Sequence, residues 1–293
     1  MDVQTLFIRL VRFIVLAGSA SYSFAGTIDP NTPDSRYVAF GQQFPSVIRI
    51  RADIDELSPK EEAESPKTDK LATKFFRQYG SLAIIRPHWA LTAAHVTTGA
   101  HNHTAYKDNK AEYPLRIFVH PDFDDEIIGY NDIALCYSAK DFQLDFYTPL
   151  YTEQDEVGKD ITMAGYGLRG TFRTGAVVSD GKKRAGQNTI DSISRAVLTC
   201  SASLGAGLDS KKKPLEYMIS PGDSGGGMYI GDKLAGINSF LMAVDKVPDG
   251  TYGDDSAFTR VSLYVDWIES QIAQHELALQ ARATTGAEPV SAE

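Results

Sequence analysis

Ser224 lies in a segment whose composition suits a nucleophile. The segment is 221–227, and it reads PGDSGGG. Glycines allow tight backbone turns and expose N–H groups, which a nucleophile needs beside an oxyanion-binding pocket. Taken alone, the segment is equally typical of a flexible hairpin turn. Its interpretation as the site of a nucleophile therefore depends on whether the chain also contains a suitable base and acid.

Two further segments offer a base and an acid. His95 ends the run WALTAAH (89–95), and an imidazole held at a rigid strand end can act as a general base near neutral pH. Asp132 opens the apolar run DIALCY (132–137), where a carboxylate is costly to bury unless an imidazolium needs its charge. Separately, the histidine would be read as a structural residue and the aspartate as a turn or strand-capping residue.

Together the three segments resemble the trypsin-like serine proteases. The signatures of that family, TAAH, DIAL and GDSGG, are intact at 92–95, 132–135 and 222–226. Their order along the chain, His then Asp then Ser, is that of the chymotrypsin-like arrangement and differs from those of subtilisins and α/β-hydrolases. Weaker matches extend the resemblance from about Tyr37 to Gln271.

The resemblance implies a mechanism and assigns each residue a role. His95 would take the proton of Ser224, which attacks a peptide carbonyl, while Asp132 fixes the imidazole tautomer and stabilises the imidazolium. An acyl-enzyme forms and water releases it. The backbone N–H groups of Gly222 and Ser224 would bind the oxyanion, and Ser239 would donate a hydrogen bond to Asp132 from behind.

The same resemblance locates a pocket for the side chain that precedes the cleaved bond. Met218 stands where tryptic members of the family carry an aspartate, so cleavage after Lys or Arg is not expected. Leu241 and Ser256 stand where glycines usually form the walls. These residues predict a small or apolar preference, with the alternative that Asp254 or Asp255 reaches the pocket.

Activation and redox state are the next expectations. In zymogens of the family a new terminal amine pairs with the acid before the nucleophile, here Asp223. An activating protease would have to cut after Arg36, although the sequence that follows fits the family's terminus only loosely. Cys136 and Cys200 are the two cysteines. Cys136 lies in an apolar run and is interpreted as a buried free thiol, with pairing left open.

Residues 1–25 have the pattern of a signal peptide. Arg9 and Arg12 precede an apolar run, and Ser23 and Ala25 place small residues at the positions that a signal peptidase requires. Cleavage after Ala25 is predicted. No later segment is apolar for long enough to span a bilayer. The expected destination is therefore extracellular or periplasmic, without stable membrane association after cleavage.

The elements that must position these residues are short strands. Apolar runs of about 4–8 residues recur between Gly, Pro, Asn and Asp clusters, which predicts an all-β fold, and the resemblance implies two packed antiparallel β-barrels with a C-terminal α-helix. The predicted peptidase domain is 37–271, with barrel one at about 37–145, barrel two at about 158–261 and the helix at about 262–280, capped by Ser262. Residues 51–78 are interpreted as an exposed, charged loop with a short helix near 71–76, and 281–293 are predicted to be a flexible tail.

Composition argues against several other functions. The 293-residue chain is 43% hydrophobic with a formal charge of −9, which is typical of a globular protein and unfavourable for binding a phosphate backbone. The clusters 182–184 and 211–213 are interpreted as solvated loops, since no aromatic residues interleave with them. His101 and His103 lack further ligands at suitable spacing, so no metal and no cofactor is expected. Protein or peptide substrates are the expected partners.

Two alternatives stay open. A catalytically inactive, protease-like binding or regulatory protein would keep the fold without turnover, although such proteins usually lose a member of the triad. A quality-control protease of the same fold usually carries asparagine before the serine and an added peptide-binding domain, whereas Asp223 precedes Ser224 here.

Overall fold

The computed structural model describes residues 26–54, 76–107, 110–127, 129–178, 180–203 and 212–285. The predicted signal peptide and nearly all of the predicted short helix at 71–76 lie outside these residues. The described chain opens with a two-residue strand, β1 (Thr27–Ile28), and a helix, α1 (Asp34–Gly41). Both precede or overlap residue 37, where the peptidase domain was predicted to begin.

The first barrel is a seven-stranded antiparallel sheet. Its strands are β2 (Val47–Ile54), β3 (Phe76–Arg86), β4 (Trp89–Thr92), β5 (Ala100–Lys107), β6 (Ala111–Pro114), β7 (Arg116–Val119) and β8 (Ala134–Tyr137), in the spatial order β6-β5-β2-β3-β4-β8-β7. In β2, Ile48, Ile50 and Ala52 are buried while the arginines between them lie on the other face, the period-two alternation of a half-buried strand. All of β4 is buried, because β3 and β8 flank it.

The second barrel follows along the chain. The remaining strands are β9 (Asp160–Gly165), β10 (Arg169–Thr171), β11 (Gly175–Val178), β12 (Arg184–Thr189), β13 (Ser192–Ser194), β14 (Val197–Ser201), β15 (Tyr217–Met218), β16 (Gly227–Ile230), β17 (Lys233–Ala243) and β18 (Asp254–Arg260). Seven of them form the sheet β12-β9-β16-β17-β18-β14-β13, and a smaller sheet has the order β11-β10-β1-β15. The predicted all-β architecture of two antiparallel barrels is confirmed.

A C-terminal helix closes the fold. A short 3-10 helix (Val261–Leu263) leads into α2 (Val265–Thr285), which begins later than predicted and extends into the predicted tail. Ser262 does not cap it, since its hydroxyl donates to Glu156 Oε1 at 2.9 Å. Ile268 and Ile272 of α2 are buried in the same apolar cluster as the strands of barrel one.

Polar contacts reinforce that docking. Arg86 of barrel one makes two hydrogen bonds to the Glu269 carboxylate, of 2.7 and 2.6 Å, and Trp89 Nε1 donates to Glu276 Oε1 at 3.3 Å. Both cysteines are buried as free thiols, as predicted for Cys136. Within the described ranges, no helix combines the length and apolar character needed to cross a bilayer.

Candidate active site

The three predicted catalytic residues lie at strand ends where the barrels meet. His95 is in the 3-10 turn that follows β4, and Asp132 lies just before β8. Because β4 and β8 pair with each other, these two residues are brought side by side. Ser224 lies on barrel two in the turn before β16, and its backbone carbonyl accepts a 2.8 Å hydrogen bond from the N–H of Ser81 on barrel one.

Asp132 holds His95 at two points. The carboxylate Oδ2 is 2.8 Å from imidazole Nδ1, and Oδ1 accepts the backbone N–H of His95 at 2.9 Å. With Nδ1 donating to the carboxylate, Nε2 is left as the basic nitrogen. The imidazole is 37% exposed and the Asp132 side chain 3%, so the base is open to a substrate while its partner is shielded from water.

The surroundings fix Asp132 in turn. The hydroxyl of Ser239 donates to Oδ2, as the resemblance implies, and Thr259 Oγ1 donates to the Asp132 carbonyl oxygen at 2.9 Å. Asn131 has a left-handed φ of 51°, and its amide is held by a 2.8 Å hydrogen bond from Tyr264 Oη. The carboxylate is therefore positioned from β17, β18 and the turn before α2.

The paired charges shift both pKa values. Burial alone would lower the pKa of His95, but the adjacent Asp132 carboxylate outweighs it and raises the pKa above the ordinary 6.5. Burial alone would raise the pKa of Asp132, but His95 and the Ser239 hydroxyl hold it below the ordinary 3.8. The pair is therefore built to stabilise an imidazolium beside an ionised carboxylate.

The Ser224 hydroxyl is hydrogen-bonded to a group other than His95 in this structure. It donates to the carbonyl oxygen of Ser239 at 3.2 Å, and no hydrogen bond joins it to His95 Nε2 among the described residues. Ser224 is partly buried, beside the fully buried Asp223. A reaction at Ser224 therefore needs its hydroxyl to turn from the Ser239 carbonyl toward the imidazole.

Close contacts and positive φ angles explain the glycines around Ser224. Gly225 has a φ of 85°, and a side chain there would overlap Thr92 Oγ1 and the carbonyl oxygen of Ser81. Gly222 has a φ of 95°. The backbone N–H groups of Gly222 and Ser224, the predicted oxyanion donors, make no hydrogen bond to another residue in the described part of the chain.

Ser81 connects barrel one to this loop, and sequence reasoning missed it. It is fully buried in β3. Its hydroxyl donates to the carbonyl oxygen of Gly222 at 3.1 Å and accepts the backbone N–H of Tyr166 at 3.0 Å. Its backbone N–H donates to the Ser224 carbonyl. A serine within a strand has no sequence signature, so only the three-dimensional contacts identify it.

The predicted pocket residues lie close to one another. Met218 is fully buried in β15 and packs with Phe172, and Leu241 packs against the same apolar cluster. Ser256 is the register partner of Leu241 across β17 and β18, and its hydroxyl accepts the backbone N–H of Ile219 at 3.1 Å. The side chains that replace the family's aspartate and one wall glycine are thus apolar and in contact.

Of the two nearby acids, Asp254 has partners in its own loop. It is 2% exposed, and its Oδ2 accepts the backbone N–H groups of Asp249 and Gly250 at 3.1 and 2.8 Å. Asp255 is the backbone register partner of Ser201 on β14. Burial raises the pKa of both carboxyls. The carboxylate of Asp254 therefore stabilises its own loop.

Asp223 is enclosed by neutral donors. Its carboxylate accepts hydrogen bonds from the backbone N–H groups of Gly26, Gly167 and Ser220, at 3.0, 2.7 and 2.9 Å, and from the hydroxyl of Tyr217 at 3.2 Å. Gly26 directly precedes β1, so this contact joins the start of the described chain to the Ser224 loop. Arg36, the predicted activation site, lies instead on helix α1 with its side chain exposed.

The basic cluster 182–184 differs from its predicted role as a solvated loop. Arg184 is fully buried and binds the carboxylates of Asp34 and Asp180 at 2.6 and 2.7 Å. Lys183 Nζ donates to the carbonyl oxygen of Phe44 at 2.6 Å. These contacts fasten α1 to barrel two. No group of three potential metal-binding side chains is found in the described residues.

Two antiparallel barrels, with the His95–Asp132 pair and the Ser224 hydroxyl both hydrogen-bonded within a group that includes Ser239, are the arrangement of the chymotrypsin-fold serine proteases. The family model described as Trypsin matches residues 64–268. The chain belongs to the trypsin family.

Known relatives agree with this placement. The chain is 26% identical over 213 residues to "Serine protease 56" of Mus musculus, covering 65% of this chain and 34% of that protein, so it spans about a third of that relative's length. Among solved structures it is similar to mouse neuropsin, with a TM-score of 0.56, 16% identity and coverage of 79% and 96% of the two chains. A structure titled HL collagenase gives 0.57, 21%, 78% and 94%. At these identities the structural likeness shows the fold alone.

Proposed function

We propose that this protein is a secreted serine endopeptidase that hydrolyses peptide bonds through an acyl-enzyme on Ser224. The observation that carries the proposal is the double contact of Asp132 with His95, through the imidazole and the backbone N–H, together with Ser239, whose hydroxyl donates to Asp132 and whose carbonyl oxygen accepts from Ser224. If the His95–Asp132 pair had only a structural role, the His95 imidazole would not need to be accessible to solvent.

The catalytic cycle follows from the geometry. A substrate carbonyl would enter near Ser224, whose hydroxyl leaves the Ser239 carbonyl oxygen and donates to His95 Nε2. His95 takes the proton as the Ser224 oxygen attacks, and Asp132 stabilises the resulting imidazolium. The imidazolium then protonates the leaving amine. Water, activated by the same imidazole, releases the acyl group.

The oxyanion of each tetrahedral intermediate would bind the N–H groups of Gly222 and Ser224. Their lack of partners among the described residues supports this role, because preorganised donors stabilise charge as it develops. One such donor is worth about 3 kcal/mol of transition-state stabilisation in other enzymes.

The proposed primary specificity is small or apolar. Leu241 supplies partly exposed apolar surface, backed by the buried cluster that contains Met218, where a tryptic enzyme has a carboxylate, and the Asp254 carboxylate is occupied by its own loop. A substrate guanidinium or ammonium placed there would lose its hydration without gaining a partner. Protein or peptide substrates are proposed, met outside the cell or in a periplasm after removal of residues 1–25.

A comparison of wild type with Ser224→Ala tests the proposal. Exported protein should hydrolyse a peptide library after small or apolar residues and should react with a phosphonate serine probe. Ser224→Ala should lose both properties. The matched control is Ser194→Ala, an exposed serine of β13, which should behave like wild type. A folded wild-type protein that neither cleaves nor labels would refute the proposal in favour of an inactive binding protein. Dominant cleavage after Lys or Arg would refute the specificity.

A further inference from the structure

Asp223 is a buried acid for which the described residues provide no cation. It is fully buried, and the groups that meet its carboxylate are three backbone N–H groups and the hydroxyls of Tyr217 and Ser220. No lysine, arginine or histidine in the described part of the chain forms an ion pair with it. Arg184, a buried cation of the same barrel, is committed to Asp34 and Asp180. A buried carboxylate without a counter-charge is costly.

One of these donors stands at a special place in the sequence. The N–H that reaches Asp223 Oδ2 at 3.0 Å belongs to Gly26, the residue that follows the predicted signal-peptide cleavage site. At present it is an amide. Hydrolysis of the Ala25–Gly26 bond would convert the same nitrogen into an ammonium without moving it.

Gly26 is held at this position from both sides. Its φ is 36°, and a side chain at this position would overlap the ring of Tyr217, so the site accepts only glycine. The next residues form β1, which pairs in parallel with β10 and antiparallel with β15. The first residue of the cleaved chain would thus be delivered to Asp223 by a sheet that belongs to barrel two.

We propose that removal of the signal peptide is itself the activating cleavage, and that the Gly26 ammonium is the counter-ion of Asp223. In this step water adds across the Ala25–Gly26 bond, catalysed by a signal peptidase. The hydroxyl goes to the Ala25 carbonyl carbon as the C–N bond breaks, the other hydrogen of the water goes to the Gly26 nitrogen, and the resulting amine takes up the proton that the new carboxyl group releases. No second cleavage is needed. The inference rests on the proposed function, because it concerns how that active site becomes competent.

The link to catalysis is the loop that Asp223 anchors. Its carboxylate accepts the backbone N–H of Ser220 and the N–H of Gly167, and it lies between the two proposed oxyanion donors, Gly222 and Ser224. A carboxylate accepts a stronger hydrogen bond from an ammonium than from a neutral amide N–H. The ion pair therefore holds the loop in the geometry that Ser224 requires.

Cleavage after Arg36 would act at a different place. Arg36 lies within α1, whose Asp34 binds the buried Arg184 and whose Tyr37 is fully buried. A cut there would break the helix that these contacts hold, while the Gly26 nitrogen would stay an amide at Asp223. Activation at the Ala25–Gly26 bond predicts that Arg36 variants are still activated, whereas activation after Arg36 predicts that they are not.

The test uses the full chain, residues 1–293, purified as precursor and then treated with signal peptidase. The kcat/KM for a peptide substrate should rise about 100-fold or more as mass spectrometry detects the terminus at Gly26, the size expected for completing a buried ion pair. Arg36→Gln should activate in the same way. A precursor as active as the product, an active form that begins elsewhere, or loss of activation in Arg36→Gln would overturn the inference.

A second measurement does not depend on activity. In the cleaved Ser224→Ala protein, the Gly26 amine should react with an acylating reagent at least about tenfold more slowly when folded than when unfolded, because it is buried and charged. Asp223→Asn should remove the protection if it folds. Equal reactivity in both states would overturn the ion pair. Failure of every form to hydrolyse peptides would instead refute the proposed function, while the amine result would still decide the pairing.

Discussion

Replacing Ser81 with alanine should impair catalysis from inside barrel one. The change removes one hydroxyl from a fully buried site and leaves two backbone groups without partners, the N–H of Tyr166 and the carbonyl oxygen of Gly222. Each unsatisfied buried group costs about 1–3 kcal/mol, so roughly 2–6 kcal/mol is expected in total for the two groups. Because the N–H of residue 81 still binds the Ser224 carbonyl, the loop should stay attached but be less well positioned.

We expect the cost to divide between folding and catalysis. Part should appear as a lower free energy of unfolding in denaturant titrations. The rest should appear as a fall in kcat of about tenfold or more with little change in KM, since Gly222 supplies a donor needed mainly in the transition state.

Ser46→Ala is the matched control for this variant. Ser46 is also a buried serine of barrel one, but its hydroxyl contacts Tyr229 Oη at 3.4 Å and not the Ser224 loop. It should lose stability without losing kcat. An equal stability loss in both variants with kcat unchanged in Ser81→Ala would refute the positioning role of Ser81.

Three further predictions concern charged groups. Because the pKa of His95 is raised above 6.5 and its neutral form is the base, kcat/KM should rise with pH through an apparent pKa above 6.5. Asp132→Asn should lower kcat about 10⁴-fold and shift the rising part of the pH profile of kcat/KM to lower pH. An unshifted profile would contradict the attribution of that rise to His95 paired with Asp132. Burial raises the pKa of Asp223 to about 7 from 3.8 while residue 26 is an amide, so the folded state binds the proton more tightly. The unfolding free energy of the Ser224→Ala precursor should therefore fall as pH rises from about 4 to about 7, by up to ~1.4 kcal/mol per pH unit, and removal of the signal peptide should flatten this slope. Equal slopes would count against the ion pair. Finally, Arg184→Ala should destabilise the protein by about 2–3 kcal/mol in denaturant titrations, because it removes a fully buried side chain and its charge-assisted hydrogen bonds to two partly exposed carboxylates, whereas Lys182→Ala, at an exposed neighbour, should cost under about 0.5. Similar losses in both would show that burial of Arg184 has no energetic consequence.

The proposed catalytic residues could be predicted from sequence because each stands in a local pattern. The small residues before His95 and the apolar run after Asp132 are strand ends, and strand ends are where a barrel presents side chains to a cleft. The geometry then depends on pairing between distant strands. That β4 and β8 are neighbours, and that Ser239 from β17 reaches Asp132, follows from sheet order, which local patterns do not encode.

Other features depend on contacts that no local pattern reveals. Arg184 follows two lysines, so the local composition predicts a solvated loop. Its burial is compensated by two carboxylates, that of Asp34, which is distant in sequence, and that of Asp180, which lies across a turn. Ser262 has the right residue type for a helix cap, but Glu156 takes its hydroxyl. The local sequence identifies Gly26 only as the residue after the predicted signal-peptide cleavage site. Its contact with Asp223 requires the folded second barrel.

The two ends of the described chain are exchanged between the barrels. Strand β1, the first strand of the described chain, lies in barrel two between β10 and β15, while α2, its last helix, packs on barrel one. Barrel two therefore needs a strand that precedes barrel one in the sequence, and barrel one is covered by a helix that follows barrel two. Contacts of such sequence separation form slowly, because the loop between the partners must close first. The protein should therefore unfold as one cooperative unit, so the Ser224 loop should lose its structure together with barrel one.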